Sequence, residues 1–446
     1  MIWRFRTGKW FRCRRLDAGK LTVTDQVVIN VMMSLLQKMA SRRNTLCFLI
    51  PTVTLSTFSL AMLWATTDSV VLDDPNPIEL VRIPFLNLSL SSRYKPARCL
   101  PKQNILFLKV HKCASTTISN IIVRYGLKHG LKFALPKRED GHIGWPLSLR
   151  PTMVLPSEEK PNILAHHIVF NATSVAKIMP NDTIYLATVR EPFSQFKSTV
   201  NFFYNVEMQQ LGFKTGDYVS EFLSNPSKYE RNIKFYWGHR YFGERSITKN
   251  CIAREFGYDP SQFLVTPNKM ASFADKLDGI FDLVMIKEYY FESVVLMKRK
   301  LCWSLEDMIS NHLNSNPENR NRVTQEKVKN LMETYRNWSK IDYVLYERFL
   351  VIFRRKIRET GPGFHKEVSL LKYLNQVVTQ HCGKASNVHL LVPETEFSQK
   401  FLVTPQLCDM LKVGPHDLTQ SLIRQQYGLV KQIGYFIKYH IFNVSV

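Results

Sequence analysis

The sequence lacks several patterns that identify common classes of enzyme. Neither GxxxxGK[ST] nor GxGxxG occurs, so the glycine-rich loops that bind ATP and NAD are absent. No Asp-x-Asp pair is present, which argues against a glycosyltransferase that holds its sugar nucleotide through a metal ion. No Cys-x-x-Cys pair or local Cys/His cluster suggests structural zinc. The chain also has no internal repeat.

Composition indicates a folded body of strongly basic character. The 446 residues are 45% hydrophobic and carry a formal net charge of +23. Residues 1–45 contain ten Lys/Arg and two Asp/Glu, a net +8, which leaves +15 for the remainder. Charge of this kind suits a phosphate-bearing ligand, a membrane surface or nucleic acid, and composition alone does not choose among them.

A run of twenty uncharged residues, 46–65, is long enough to cross about 30 Å of hydrocarbon. Basic residues precede the run and Asp68, Asp73 and Asp74 follow it, which predicts a type II orientation. We therefore expect a cytoplasmic tail at 1–45, a signal-anchor helix at 46–65, a proline-rich stem at 66–100 and a lumenal domain at 101–446. A buried helix and a cleaved signal peptide are the alternatives.

Two further features agree with a lumenal body. Six cysteines, an even number, follow the predicted span, and their spacing does not show which of them pair. They are Cys99, Cys113, Cys251, Cys302, Cys382 and Cys408. Five Asn-x-Ser/Thr triplets also follow it, so the candidate glycosylation sites are Asn87, Asn171, Asn181, Asn337 and Asn443.

The segment 104–125 is the most informative stretch of the chain. Ile105 to Val110 reads as a buried strand, and apolar residues at helical spacing begin after Thr117. A strand, a short loop and a helix direct backbone N–H groups and a helix dipole at an anion. The loop adds one ammonium and three hydroxyls from Lys112, Ser115, Thr116 and Thr117. The alternative is an ordinary helix start that a Ser or Thr caps.

Two more predicted strands end at polar side chains. Asn162 to Ala165 is followed by His166 and His167, and Thr183 to Val189 is followed by Arg190. Ligands of parallel α/β sheets bind beyond the carboxyl ends of the strands, so Lys112, His167 and Arg190 are expected to meet in one crevice. Ser198, on the helix after Arg190, is expected to share a second phosphate with it. A surface ion pair for Arg190 and a structural role for His167 are the alternatives.

Three blocks of sequence resemble the galactose 3-O-sulfotransferases of the Golgi apparatus. They are the loop Leu-Lys-Val-His-Lys-Cys-Ala-Ser-Thr-Thr, the segment Thr188 to Ser198 and the segment Phe281 to Trp303, in the family's order. The loop departs from the family in Cys113, where threonine is usual, and in Thr116, where serine is usual.

The resemblance implies an α/β, P-loop-like sulfotransferase fold with a central parallel sheet flanked by helices, and a 3′-phosphoadenosine 5′-phosphosulfate (PAPS) donor without a metal. Lys112, Ser115, Thr116 and Thr117 would bind the phosphosulfate, and Arg190 with Ser198 the 3′-phosphate. His167 would act as general base and Lys112 would stabilise the leaving group. The implied acceptor is a terminal β-galactose on a glycolipid or glycoprotein at the Golgi membrane, not nucleic acid.

Three alternatives remain at this stage. A Golgi glycosyltransferase would share the predicted topology, and a sulfotransferase for another glycan, such as a heparan-type polymer, would share the donor site. A lumenal lectin or heparin-binding membrane protein would use the basic body without binding a bisphosphorylated nucleotide. Loss or retention of nucleotide binding separates the last of these from the enzymes.

Overall fold

The structure, a computed structural model, describes residues 78–83, 99–137, 141–203, 212–230, 248–259, 266–311, 325–384 and 387–436. The predicted tail and signal anchor lie outside these ranges, as do Asn87 and Asn443. Within the ranges, no helix combines the length and the apolar character that a membrane crossing requires.

The described elements are numbered in chain order. The strands are β1 (Ile78–Leu80), β2 (Ile105–Leu108), β3 (Ile163–Leu164), β4 (Ile184–Val189), β5 (Leu283–Ile286), β6 (His389–Val392) and β7 (Phe401–Val403). The helices are α1 (Ser115–Lys128), α2 (Ala172–Ile178), α3 (Pro192–Phe203), α4 (Tyr218–Ser224), α5 (Cys251–Glu255), α6 (Pro267–Asp278), α7 (Tyr290–Leu301), α8 (Gln325–Trp338), α9 (Lys340–Arg358), α10 (Phe364–Gly383), α11 (Pro405–Lys412) and α12 (Pro415–Phe436).

A four-stranded parallel sheet forms the centre of the fold, in the order β3-β2-β4-β5. Every residue of β2 and of β5 is buried, as expected for strands covered on both faces. Helices α1, α3 and α7 follow β2, β4 and β5, and α9 packs against β5. The predicted α/β class and parallel sheet flanked by helices are therefore confirmed.

Neither the second sheet nor the pairing of the cysteines was predicted from the sequence. Strand β1, within the predicted stem, pairs in parallel with β6, and β6 pairs antiparallel with β7. Cys99 bonds to Cys302, and Cys382 bonds to Cys408, which joins α10 to α11. Because these partners are separated by 203 and 26 residues, their pairing depends on the folded topology.

One local prediction was wrong. Apolar spacing over Leu305 to Leu313 predicts a helix, but in the described part of this stretch, 305–311, the structure has a short 3-10 turn, Glu306–Met308, followed by extended backbone at Ile309. The guanidinium of Arg124 donates to the carbonyls of Asp307 and Ile309, which a continuing helix would use internally. A contact from α1 thus ends the helix that local spacing favours.

Gly257, which follows α5, provides a test of how closely the chain there packs against Phe170. Gly257 has φ +92°, and a Cβ there would lie 2.5 Å from the carbonyl oxygen of Phe170, a backbone atom that cannot move aside. We expect Gly257→Ala to lower the free energy of unfolding by roughly 2–4 kcal/mol through backbone strain and overpacking. Chemical denaturation measures the change.

Gly130→Ala is the matched control. Gly130 has φ +63°, but a Cβ there meets no atom within 4 Å. Backbone strain alone predicts a loss of about 1–2 kcal/mol. Equal losses of unfolding free energy in the two variants would show that Phe170 O does not lie close to Gly257.

Candidate functional site

The loop between β2 and α1 has the backbone of an anion-binding turn, although it contains no glycine. Lys112 and Ala114 both have φ 60°, on either side of Cys113. Alternating left-handed residues in a turn direct successive N–H groups into one concavity. Ala114 is the N-cap of α1 and provides no side-chain cap. The alternative in which a Ser or Thr caps this helix is therefore wrong.

Neighbouring elements hold this loop in place. The hydroxyl of Ser115 donates to Val110 O at 2.7 Å, and the hydroxyl of Thr188, on β4, donates to Cys113 O at 2.5 Å. Gln195, on α3, donates to His111 O at 3.2 Å. The Cys113 side chain is fully buried, and burial raises the pKa of its thiol. Cys113 therefore packs as a small side chain and keeps its thiol protonated.

Arg190 connects the end of β4 to the loop. Its guanidinium donates to Lys112 O at 3.3 Å, while its Nε is shielded from solvent and has no hydrogen-bond partner among the described residues. Burial, with a smaller contribution from Arg190, lowers the pKa of Lys112 to about 8. An orphaned guanidinium N–H beside a desolvated ammonium fits an anionic ligand.

The structure brings only some of the predicted clamp together. Ser198 lies on α3, half-buried. In the part of the chain that the structure describes, no hydrogen bond joins Ser198 to Arg190. Ser115 and Thr117 are buried, whereas Thr116 is partly exposed at the first turn of α1. Lys112, Thr116, Arg190 and Ser198 are thus the predicted donor-site residues with accessible surface.

Three histidines meet beside the loop. The backbone of His167 pairs with the 141–143 segment, through His167 N to Gly141 O at 3.3 Å and Ile143 N to His167 O at 2.9 Å. This pairing sets His142 beside His167, with ring centroids 5.0 Å apart. His111, from the loop, stacks on His167 at 3.7 Å. Burial holds the pKa of His167 well below its ordinary value, with smaller contributions from His111, Lys109 and His142.

A buried carboxylate fixes the innermost histidine. Glu255, on α5, is fully buried and accepts the backbone N–H of His111 at 2.7 Å. Its second oxygen pairs with His111 Nδ1 and accepts Trp145 Nε1 at 2.9 Å. The His111 Nε2 then lies 3.4 Å from His142 Nε2. Glu255 therefore fixes the orientation of His111, on which the other two histidines stack.

The three histidines have the composition of a metal site but not its geometry. Their ligand nitrogens lie within 4.8 Å of one another. The planes of His111 and His167 are only 17° apart in a face-to-face stack, so their in-plane lone pairs lie in nearly parallel layers. Tetrahedral coordination by imidazole requires lone pairs that converge on one point. Ligation by all three rings therefore requires them to tilt apart.

Sequence reasoning missed several members of the site. His111 belongs to the quoted loop but was not singled out, and His142 and Trp145 lie in a segment without regular periodicity. Glu255 lies in the stretch 205–260, and nothing in its local sequence marks it as buried. His166 is not part of the group, since its Nε2 lies 3.2 Å from Thr419 Oγ1, on the side of α12.

The candidate glycosylation sites differ in their surroundings. Asn181 and Asn337 are exposed. Asn171 is half-buried and caps α2, because its side chain accepts the N–H of Ser174 at 2.9 Å. Glycosylation at these residues stays a prediction.

The structure combines a parallel α/β sheet with a loop that carries Lys112 and contacts Arg190, next to a group of three histidines. The family model described as Galactose-3-O-sulfotransferase matches residues 30–435. Since that match covers most of the sequence, the chain belongs to the galactose-3-O-sulfotransferase family.

Individual relatives agree with this assignment. Human galactosylceramide sulfotransferase is 30% identical over 289 residues, which is 64% of this chain and 65% of the relative. Human galactose-3-O-sulfotransferase 2 is 32% identical over 59% of this chain and 63% of its own length. Human galactose-3-O-sulfotransferase 3 is 28% identical over 74% of this chain and 77% of its own length. The first two matches thus span less than two thirds of the relatives.

The role of Glu255 gives a prediction about stability. Glu255→Gln keeps the side-chain volume but replaces one acceptor oxygen with an NH₂ group, which faces N–H donors from His111 and Trp145. We expect a loss of roughly 1–3 kcal/mol in the free energy of unfolding, because a buried donor is left unsatisfied. Chemical denaturation measures it, with exposed Glu159→Gln, which removes a 2.6 Å ion pair with Lys132, as the control. A loss no larger than that of the control would contradict the role of Glu255.

Proposed function

We propose that this protein transfers a sulfonate group from PAPS to the 3-hydroxyl of a terminal β-galactose on a glycolipid or glycoprotein glycan. The observation that carries the proposal is one continuous site on one loop. Arg190 donates a hydrogen bond to the carbonyl of Lys112, and His167 stacks on His111. His111 and Lys112 are neighbours in the same turn. Membership of the galactose-3-O-sulfotransferase family supports the reaction and the acceptor sugar.

The donor supplies an activated sulfonate and two phosphate groups, which suit the cations of the site. The residues proposed to hold it are Lys112, Ser115, Thr116, Thr117, Arg190 and Ser198. The shielded Nε of Arg190, without a partner in the described ranges, supports an anion at that end of the crevice. Arginine suits this role because its fork binds two phosphate oxygens at once.

His167 is the proposed general base. Burial keeps its imidazole neutral, which is the form that accepts the proton of the galactose 3-hydroxyl as the oxygen attacks sulfur. Lys112 is proposed to stabilise the negative charge that develops on the leaving phosphate oxygen. The reaction so written needs no metal ion.

The proposed location is the Golgi membrane, with residues 46–65 as a type II signal anchor and the catalytic domain in the lumen. The disulfides Cys99–Cys302 and Cys382–Cys408 support an oxidising compartment. The acceptor is then a β-galactosyl glycolipid or glycoprotein that passes through the same compartment.

A transfer assay tests the proposal. The full-length protein is incubated with PAPS labelled in its sulfonate group and with β-galactosyl ceramide or a β-galactosyl oligosaccharide. We expect label on galactose, and we expect it to persist when EDTA is present. Acceptors whose galactose is methylated at the 3-hydroxyl should receive no label, whereas acceptors methylated at the 6-hydroxyl should still receive it.

Each failure of this assay has a defined meaning. Transfer to heparan-type chains but not to galactosides would assign the protein to another glycan. Loss of transfer with EDTA would contradict the metal-free reaction. Binding of galactosides without binding of either PAPS or its desulfonated product, 3′-phosphoadenosine 5′-phosphate (PAP), would indicate a glycan-binding protein without catalysis.

Two variants separate proton transfer from donor binding. His167→Ala should lower kcat by roughly 10²–10⁴-fold and leave the Kd for PAP nearly unchanged, because only the base is lost. Arg190→Ala should weaken PAP binding by roughly 10- to 100-fold, because a charge-assisted contact is lost. Steady-state kinetics and calorimetric titration measure the two effects, with exposed Arg150→Ala as the control for Arg190.

The pH dependence of kcat/KM checks the base assignment. A neutral base with a lowered pKa stays active at lower pH, so the acidic limb should fall well below pH 6.5 in the wild-type protein. Near-normal turnover of His167→Ala, or an acidic limb above pH 6.5, would show that another group takes the proton.

A further inference from the structure

The outer face of the second sheet carries apolar side chains that the fold leaves exposed. Leu80 pairs with Leu391, and Leu391 pairs with Leu402, so these three leucines form one row across β1, β6 and β7. Ile78, which pairs with His389, lies on the same face because side chains alternate along a strand. Ile78, Leu80 and Leu402 are 61%, 59% and 37% exposed, and Leu391 is half-buried. Contiguous apolar exposure, unlike a single exposed leucine, indicates a contact surface.

The opposite face of the same strands belongs to the interior, so the exposure of the row follows from the fold. The side chains that alternate with the row on β6 and β7 are at most 8% exposed, and they are Leu390, Val392, Phe401 and Val403. Glu79, between Ile78 and Leu80, lies on the side of α10, where its carboxylate is 3.7 Å from His381 Nδ1. The apolar row therefore faces away from the core of the domain.

Two basic residues flank the outer face. Arg82 lies two residues after Leu80, and Lys400 lies two residues before Leu402, so alternation places both on the same side of the sheet as the leucines. Both residues are exposed. None of the positions named on this face carries an acidic residue. Apolar side chains beside long basic ones are typical of surfaces that lie on a bilayer, where Lys and Arg reach the phosphate groups of the lipids.

The position of β1 in the chain also favours a bilayer as the occupant of this face. Strand β1 is the first described element after the predicted signal anchor, and only the twelve residues 66–77 separate the two. Twelve residues span at most about 40 Å even when the chain is fully extended. A protein anchored through residues 46–65 therefore keeps β1 within that distance of the membrane surface.

We propose that the outer face of the second sheet docks on the lipid bilayer in which the protein is anchored, with Ile78, Leu80 and Leu402 in contact with lipid. This inference rests on the membrane anchoring in the proposed function and adds a second point of attachment to it. Attachment at two points limits the domain to fewer orientations than a tether alone allows. An acceptor whose galactose is attached to a ceramide lies at the same surface.

Lipid quenching in vesicles tests the proposal with the full-length protein. Cys13 and Cys47 are replaced by serine, and Leu80→Cys is labelled with an environment-sensitive fluorophore. The protein is then reconstituted into phosphatidylcholine vesicles with and without a phospholipid that carries a nitroxide near its headgroup. We expect the nitroxide to quench most of the emission, because the docked label is in contact with lipid. Leu402→Cys, on β7 of the same face, should give the same result.

Val351→Cys is the matched control. Val351 is 61% exposed, as Ile78 is, but it lies on α9, which packs against β5 of the central sheet. Its label should keep its emission in the vesicles that contain the nitroxide. The difference between the two labels then reports which face of the domain meets the bilayer.

A charge placed in the outer face should abolish the contact. With Leu402→Glu present, the label at residue 80 should lose its quenching, because a carboxylate is costly to transfer into lipid. Val351→Glu should leave that quenching unchanged. Both substituted side chains are exposed, so the unfolding temperatures of the two Glu variants should match that of the parent protein.

Several outcomes overturn the inference. Equal quenching at residues 80 and 351 would show unspecific proximity to lipid, and no quenching at residue 80 would show that the sheet stays off the bilayer. An unquenched label in a dimer that Leu402→Glu dissociates would assign the face to a second copy of the chain. A protein that does not float with the vesicles overturns anchoring and docking together. Quenching does not depend on sulfonate transfer, so a docked protein that modifies no galactoside overturns the proposed reaction alone.

Discussion

The buried carboxylate of Glu255 is the interaction on which the arrangement of the site depends. It accepts hydrogen bonds from the backbone of His111 and from Trp145, and pairs with the His111 ring. Three segments that are distant in sequence therefore meet at one side chain, and the position of the loop after β2 is fixed relative to α5. Gly257 lets the chain after α5 approach Phe170, close to His167 in sequence. Fold and site are thus joined by a few short polar contacts.

The cations near the loop have a different electrostatic environment. Lys109, Lys112 and Arg190 are partly or fully desolvated, and burial lowers the pKa values of both lysines to about 8. Within the described ranges no carboxylate forms an ion pair with these cations. Positive charge that is kept out of water, without its own counter-charge, favours a ligand with several negative charges. Glu255 orients the histidines, whereas no carboxylate of the described residues neutralises the cations.

Local patterns predicted the centre of the fold but not its long-range contacts. The apolar runs at β2, β4 and β5 are strong signals because strands buried on both faces are continuously hydrophobic. Strands β1, β6 and β7 have only three or four residues each and depend on pairing across the chain. Lys112, His167 and Arg190 were predicted to lie close together because each follows a strand of the same sheet. His142 and Glu255 could not be predicted in this way, since they reach the site through an irregular segment and a five-residue helix.

The left-handed residues of the loop affect the conformational entropy that ligand binding would cost. Lys112 and Ala114 hold φ 60° with side chains present, where a glycine would move freely among many conformations. A Cβ at each position narrows the range of shapes that the turn can adopt, and hydrogen bonds from Ser115 and Thr188 narrow it further. Little conformational entropy is then left to lose when an anion arrives. Association at such a preorganised turn is governed by diffusion and charge rather than by rearrangement of the loop.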